Sequence, residues 1–201
     1  MGYHGEVPKL IDHEARRAEI AEALWRIVVR EGVSAVSIRD VAAEAGISTG
    51  SLRHVFADRS ELLVYSMDLI HQRVGHRIAA LPQAGTPAEQ AMAALAEVLP
   101  LDDRRTVEMR VNLALVTDAV SDPALARAAL SAHHGLRSLC RVVLNRLADA
   151  GLVADGRDLD VEAARLHAVI DGIAFHLVLG DNDSPGTASA IVEHHLRDLA
   201  H

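Results

Sequence analysis

The run SIRDVAAEAGISTGSLRHVFADRSELL, from Ser37 to Leu63, is compatible with few folds. It reads as two short helices joined by a tight turn, followed by the start of a third. Ser37 is a cap candidate, with Asp40 three residues on in place of the usual Glu of a capping box. Ile38, Val41, Ala42 and Ala45 then fall on one face at helical spacing. Gly46 closes the helix, where a left-handed residue is wanted, Ile47 plugs the turn, and Ser48 caps the next helix. In that second helix Leu52, Val55 and Phe56 form the core face, while Thr49, Gly50, Ser51, Arg53 and His54 are small, polar or basic. Asp58 is placed to cap a third helix, with Glu61 three residues later.

Two short helices with a glycine turn make a helix-turn-helix. A second helix with small residues at its start can enter the major groove of DNA, and the first helix holds it out from the body. No acidic residue lies between Ala45 and Ala57, although the chain is acidic. On spacing alone, a plain helical hairpin with a polar surface remains the alternative.

The same residues resemble the DNA-binding segment of the tetracycline-repressor (TetR) family, over roughly positions 13–63. The resemblance implies that the Ser37 hydroxyl and the first turn of the second helix touch DNA, and that Arg59 touches the phosphate backbone. Ser37, Arg39, Ser48, Thr49, Gly50, Ser51, Arg53, His54 and Arg59 are therefore the candidate DNA-binding residues. Two positions depart from the family: Arg53 stands where Tyr is usual, and Val55 where His or Tyr is usual. Arg53 can either replace the tyrosine on a phosphate by charge or read a guanine edge.

The rest of the chain must build its core without rings, because only five Phe, Trp and Tyr residues occur in 201. Ala, Leu, Val and Ile recur at helical spacing throughout, and alternating strand patterns are hard to find, so the expected class is all-α. The net charge of −8 does not announce nucleic-acid binding; up to Ser60 the chain carries eight basic and nine acidic side chains, so the acid is concentrated beyond it. One cysteine, Cys140, excludes an internal disulfide and a thiolate zinc cluster. The N-terminus lacks the apolar run of a secretory leader, and no stretch has the uninterrupted apolar length of a membrane span. The cytoplasm is the expected compartment.

Read in order, residues 1–11 are expected to be a tail, and Asp12 to cap a first helix that Gly32 ends. A fourth helix runs from Arg59 to about Ala80, with no linker after the DNA-binding part, which places the domain boundary at residues 58 and 59. Thr86 with Pro87, Asp102 or Asp103, Asp122 with Pro123, and Pro185 open further helices, and an eighth spans about 159–179, giving about nine. Gly135 is a candidate bend, and Asp181 to Ser184 a turn. The segment LPLDDRRTVEMRVNLAL resembles the C-terminal domain of the betaine-inhibitor type of TetR-family repressors, although Asn112 and Val116 stand where aromatics are frequent.

Together these readings predict a ligand-responsive transcriptional regulator, most simply a repressor, that binds a palindromic operator in double-stranded DNA as a homodimer. The candidate effector residues are Met67, Ile70, Met109, Leu113 and Val116, with His71, Asn112, Thr117, Cys140 and His167 as polar groups. They point to a largely apolar ligand with one or two hydrogen-bonding groups, not to a cation held in an aromatic cage. Ile173 and Leu177 are expected at the centre of the dimer interface, with Ile191, His195 and Leu196 around them. Asp171 stands in an apolar run and needs a partner, from an effector, a second subunit or a neighbouring helix. The twelve histidines show no i,i+4 pair, and neither a metal nor a cofactor is expected. No nucleophile elbow or phosphate loop suggests an enzyme. A helical adaptor without an effector is the alternative, but it has no use for an acid-free polar helix.

Overall fold

The computed structural model describes residues 9–180 and 184–201. Its elements are α1 (Lys9–Glu31), a 3-10 turn (Val33–Ala35), α2 (Ile38–Glu44), α3 (Thr49–Val55), α4 (Arg59–Ala79), α5 (Pro87–Ala96), α6 (Asp103–Asp118), α7 (Pro123–Asp149), α8 (Leu159–Leu179) and α9 (Pro185–Asp198). No strand occurs among the described residues. Most starts are where local capping chemistry sets them. Thr86 and Glu89 form a reciprocal capping box with Pro87 at the first position, and Asp158 and Ser184 accept backbone N–H groups at the heads of α8 and α9. The first helix differs from expectation. It is already helical at Lys9, so Asp12 lies inside the helix and not ahead of it. Residues 1–8 of the expected tail, and residues 181–183 of the expected turn before Ser184, lie outside the described residues. Helix α7 continues unbroken through Gly135.

The chain forms two compact units, and they do not divide at Asp58. The first runs to Ile70 and also takes in Val111–Ala128. Its core is the inner face of α1 (Ile20, Leu24, Trp25, Val28) with Val41 and Ala42 of α2, Leu52 and Phe56, and Leu62, Leu63 and Met67 of α4. Polar bonds explain why the 111–128 segment belongs here. Arg59 reaches Asp118, and Ser60 donates to Asp122 at 2.6 Å.

The second unit is His71–Arg110 with Ala129–His201. Its core joins Leu95 and Leu99, Cys140, Val143, Leu144 and Leu147 of α7, Leu166, Ile170 and Ile173 of α8, and Val192 and Leu196 of α9. Each fully buried Leu or Ile contributes about 1.5–3 kcal/mol relative to exposure. One charged cluster sits beside this core. Arg77 donates to Glu97 at 2.9 Å and to the buried Glu108 at 3.0 Å, which supplies the partner a buried carboxylate requires.

Candidate nucleic-acid interface and effector residues

The geometry of α2 and α3 follows from their caps. The Ser37 hydroxyl accepts the Asp40 N–H at 3.2 Å and donates a hydrogen bond to the Asp40 carboxylate. This is half a capping box: the Asp carboxylate bonds the Ser37 hydroxyl, and no bond back to the Ser37 N–H is formed. Gly46 has φ +66°, the left-handed value that ends α2. Ser48 accepts the Ser51 N–H at 3.0 Å and caps α3. Helix α3 is only two turns long, held by Leu52 and Phe56, both fully buried. Its outer face carries Thr49, Gly50, Ser51, Arg53 and His54, all exposed. Arg53, His54 and, on α2, Arg39 make no hydrogen bond or ion pair among the described residues. By contrast, Arg17, Arg26, Arg30 and Arg59 of the same unit are all bonded.

Arg59 departs most from expectation. Its Nε donates to the Val36 carbonyl and one Nη to the Val33 carbonyl, each at 2.9 Å, and the latter nitrogen lies 3.4 Å from Asp118. Two of its three nitrogens hold the chain entering α2, and the side chain is still 37% exposed. Sequence reasoning missed this because both carbonyls lie more than twenty residues away. Asp58 accepts the Glu61 N–H at 2.9 Å, and Glu61 accepts the Ala57 N–H at 2.7 Å, which fixes the turn from α3 into α4.

The candidate effector residues divide between the units. Met67 and Ile70 are buried in the first unit, where Asn112 and Leu113 are half-buried and Val116 and Thr117 exposed. The Thr117 hydroxyl is used on its own helix, donating to the Leu113 carbonyl at 3.0 Å. In the second unit, Cys140 and His167 are buried, and His71 and Met109 half-buried. Burial pushes the Cys140 thiol up to about 12, so it is a neutral core group. A polar recess of about 250 Å³ between α1 and the end of α2 is lined by the pairs Arg16–Glu19 and Arg26–Glu44 and by none of these candidates. Among the described residues no group of three or more His, Cys, Asp or Glu is placed to hold a metal.

Asp171 finds its partner one turn back on its own helix: His167 Nε2 lies 3.2 Å from its carboxylate, and the His133 ring lies 4.6 Å from the His167 ring. Burial lowers the His167 pKa, against the pull of Asp171, and burial lowers that of His195 as well. A lowered folded-state value means that the unfolded chain takes the proton first as pH falls through about 6.5. Stability is therefore full above that value and declines below it, levelling off once the folded state also protonates. The melting temperature should fall between pH 7 and 5.5, and His167→Gln should flatten part of that fall. A melting temperature independent of pH across this interval would contradict the assignment.

The expected interface residues are mostly used inside the subunit. Ile173 is 8% exposed, Leu196 is likewise buried, and His195 and Leu177 are half-buried, the latter packed on the core. Of the five, only Ile191 is open. Helix α8 is apolar on nearly every side, so periodicity did not reveal which face turns inward. Its outer stripe is Val161, Arg165, Ala168, Gly172, Phe175 and Leu179, all exposed except the half-buried Gly172, with Phe175 49% and Leu179 62% exposed.

Residues 20–65 match the tetR family of bacterial regulatory proteins, and residues 87–201 match the C-terminal domain of BetI-type transcriptional repressors. The chain is similar to the HTH-type transcriptional regulator PksA of Bacillus subtilis (strain 168), 37% identical over 174 residues, or 86% of this chain and 83% of that one. Its fold is that of a transcriptional regulator from Rhodococcus sp. Rha1, with TM-score 0.79, 24% identity, and 91% and 95% of the two chains covered. It is also that of a putative transcriptional regulator from Saccharomonospora viridis in complex with choline, with TM-score 0.73, 23% identity, and 92% and 95% covered. No described helix is long and apolar enough to cross a membrane. The all-α helix-turn-helix chain belongs to the TetR family of transcriptional regulators, with a BetI-type C-terminal domain, and it is a regulator and not an enzyme.

Proposed function

We propose that the protein is a cytoplasmic repressor that binds a palindromic operator as a homodimer and is released by a small-molecule effector. Residues 1–58 carry DNA binding, and residues 59–201 carry dimerisation and the effector. The observation that carries this reading is the outer face of α3. Arg53 and His54 stand exposed and unbonded there, with Thr49 and Ser51, on a capped helix with no acidic residue. Arg53 fits the O6 and N7 acceptors of a guanine in the major groove. Arg53→Ala should cost about 1–3 kcal/mol in operator affinity if it reads a base edge. Loss spread evenly over operator variants, with a shallower salt dependence, would make it a phosphate contact instead. Unchanged affinity in a folded Arg53→Ala protein would overturn the assignment.

Dimerisation is best served by α8 and α9. The open stripe of α8 follows alternating steps of four and three residues, the spacing of a helix–helix seam. Ala168 and Gly172 at its middle permit close approach, Phe175 and Leu179 continue the stripe, and Ile191 is exposed on α9. The effector is a largely apolar molecule with one or two hydrogen-bonding groups. A thermal-shift screen of apolar and charged metabolites, followed by operator release, tests this. The coupling between effector and operator should amount to about 1–3 kcal/mol.

A further inference from the structure

Arg17 is a basic residue of the first unit whose guanidinium is bonded within that unit. From α1 it donates through Nη1 to the Val55 carbonyl at 3.0 Å, at the last residue of α3. Its guanidinium lies 4.3 Å over the Phe56 ring and 4.4 Å over the Tyr65 ring, two of the five aromatics in the chain. Its other terminal nitrogen is 3.4 Å from Glu61, whose second oxygen accepts the Ala57 N–H. The side chain is only 19% exposed. We propose that Arg17 is a positioning residue for operator recognition, fixing the C-terminal end of α3 and its turn into α4 so that Arg53 and His54 meet base edges in one orientation.

This rests on the DNA-binding reading above. A helix of two turns has too few side chains to define its own axis. The Ser48 cap and buried Leu52 hold the start of α3, and Arg17 is the side chain that bonds its final carbonyl. Base readout is directional, whereas phosphate attraction tolerates small rotations. Loosening the end of α3 should therefore harm discrimination more than general DNA affinity. Lysine cannot replace the arginine: an ammonium lacks the planar fork that stacks on two rings while donating sideways.

The test uses the full-length protein, a duplex that the wild type enriches from a randomised pool, and a scrambled duplex of the same composition. Affinities for both are measured across salt concentrations for the wild type, Arg17→Lys and Tyr65→Leu, the last keeping the bond to Val55 while removing one ring. For Arg17→Lys, the selected-over-scrambled ratio should fall about tenfold, the discrimination supplied by one base contact. Tyr65→Leu should lose less, and the salt slope on the scrambled duplex should stay unchanged in both. Equal loss on both duplexes in a third variant, the uncharged Arg17→Gln, with a slope shallower by about one, would make Arg17 a phosphate contact and overturn the proposal. A preserved ratio in both variants, with only the melting temperature lowered, would reduce Arg17 to scaffold and overturn it as well. If the wild type enriches no duplex, the regulator reading itself fails.

Discussion

Replacing Phe175 with Glu should convert a dimer into a monomer that no longer holds a palindromic operator tightly. Phe175 sits in the outward stripe of α8, half exposed in the isolated subunit, so the substitution should leave the subunit folded. Surface changes of this kind cost little stability, within about 0.5 kcal/mol. In a dimer the same position faces a symmetry mate, because a two-fold interface brings one patch against itself. Two carboxylates would then be buried close together, and neither has a partner. The operator effect is larger than the interface effect. Linking two DNA-binding units raises overall affinity by about 10²–10⁴ over one unit, and a monomer forfeits that gain. Light scattering should show one subunit for Phe175→Glu and two for the wild type. A wild-type monomer at micromolar concentration, or a Phe175→Glu dimer, would remove the seam from the proposal. Ile173→Glu is a useful contrast: Ile173 belongs to the core of its own subunit, so that change should unfold the protein and not merely separate it.

Arg59→Met should destabilise the DNA-binding unit by about 1.5–3 kcal/mol, the scale of a hydrogen bond to a charged group. The substitution keeps most of the aliphatic stem and removes the donors on the Val33 and Val36 carbonyls. Both carbonyls lie in the segment that leads into α2. The ion pair with Asp118 adds little, because Arg59 is 37% exposed there and solvent screens it. Chemical denaturation checks the prediction. If the unfolding midpoint is unchanged while the salt slope of DNA binding falls by about one, Arg59 is a phosphate contact, as the family resemblance implied, and not an internal brace. Arg59→Lys should restore little, since one ammonium cannot span two carbonyls as the fork does.

Much of the candidate interface was legible in the sequence. Ser37, Gly46 and Ser48 set the ends of α2 and α3, and Leu52 and Phe56 the buried side of α3, so Arg53 and His54 had to face outward. Capping bonds span three or four residues, so one short window contains both donor and acceptor. The same holds for Thr86 with Glu89 and for Asp158 ahead of α8. The start of α1 was not legible in this way: Asp12 has the right chemistry for a cap but sits within a helix already formed at Lys9.

Tertiary structure decided whatever depended on a distant partner or on a choice of face. Arg59 looked like a free cation until Val33, Val36 and Asp118 were brought to it, and Arg17 had no assigned role until Phe56 and Tyr65 closed over it. Asp171 was the intermediate case. Its partner, His167, is a single helical turn away, but the carboxylate is exposed and the imidazole is the buried member of the pair, which the apolar run around Asp171 did not reveal. Helix α8 shows the limit most clearly. Its run HAVIDGIAFHLVL carries apolar residues on every side, so a 3.6-residue period marks a helix without saying which side is inside. Packing against α9 and the rest of its unit turned Ile173 inward and left Phe175 and Leu179 outside. Capping and turn chemistry act within a few residues and can be read along the chain, whereas burial is a property of the surface that a helix meets.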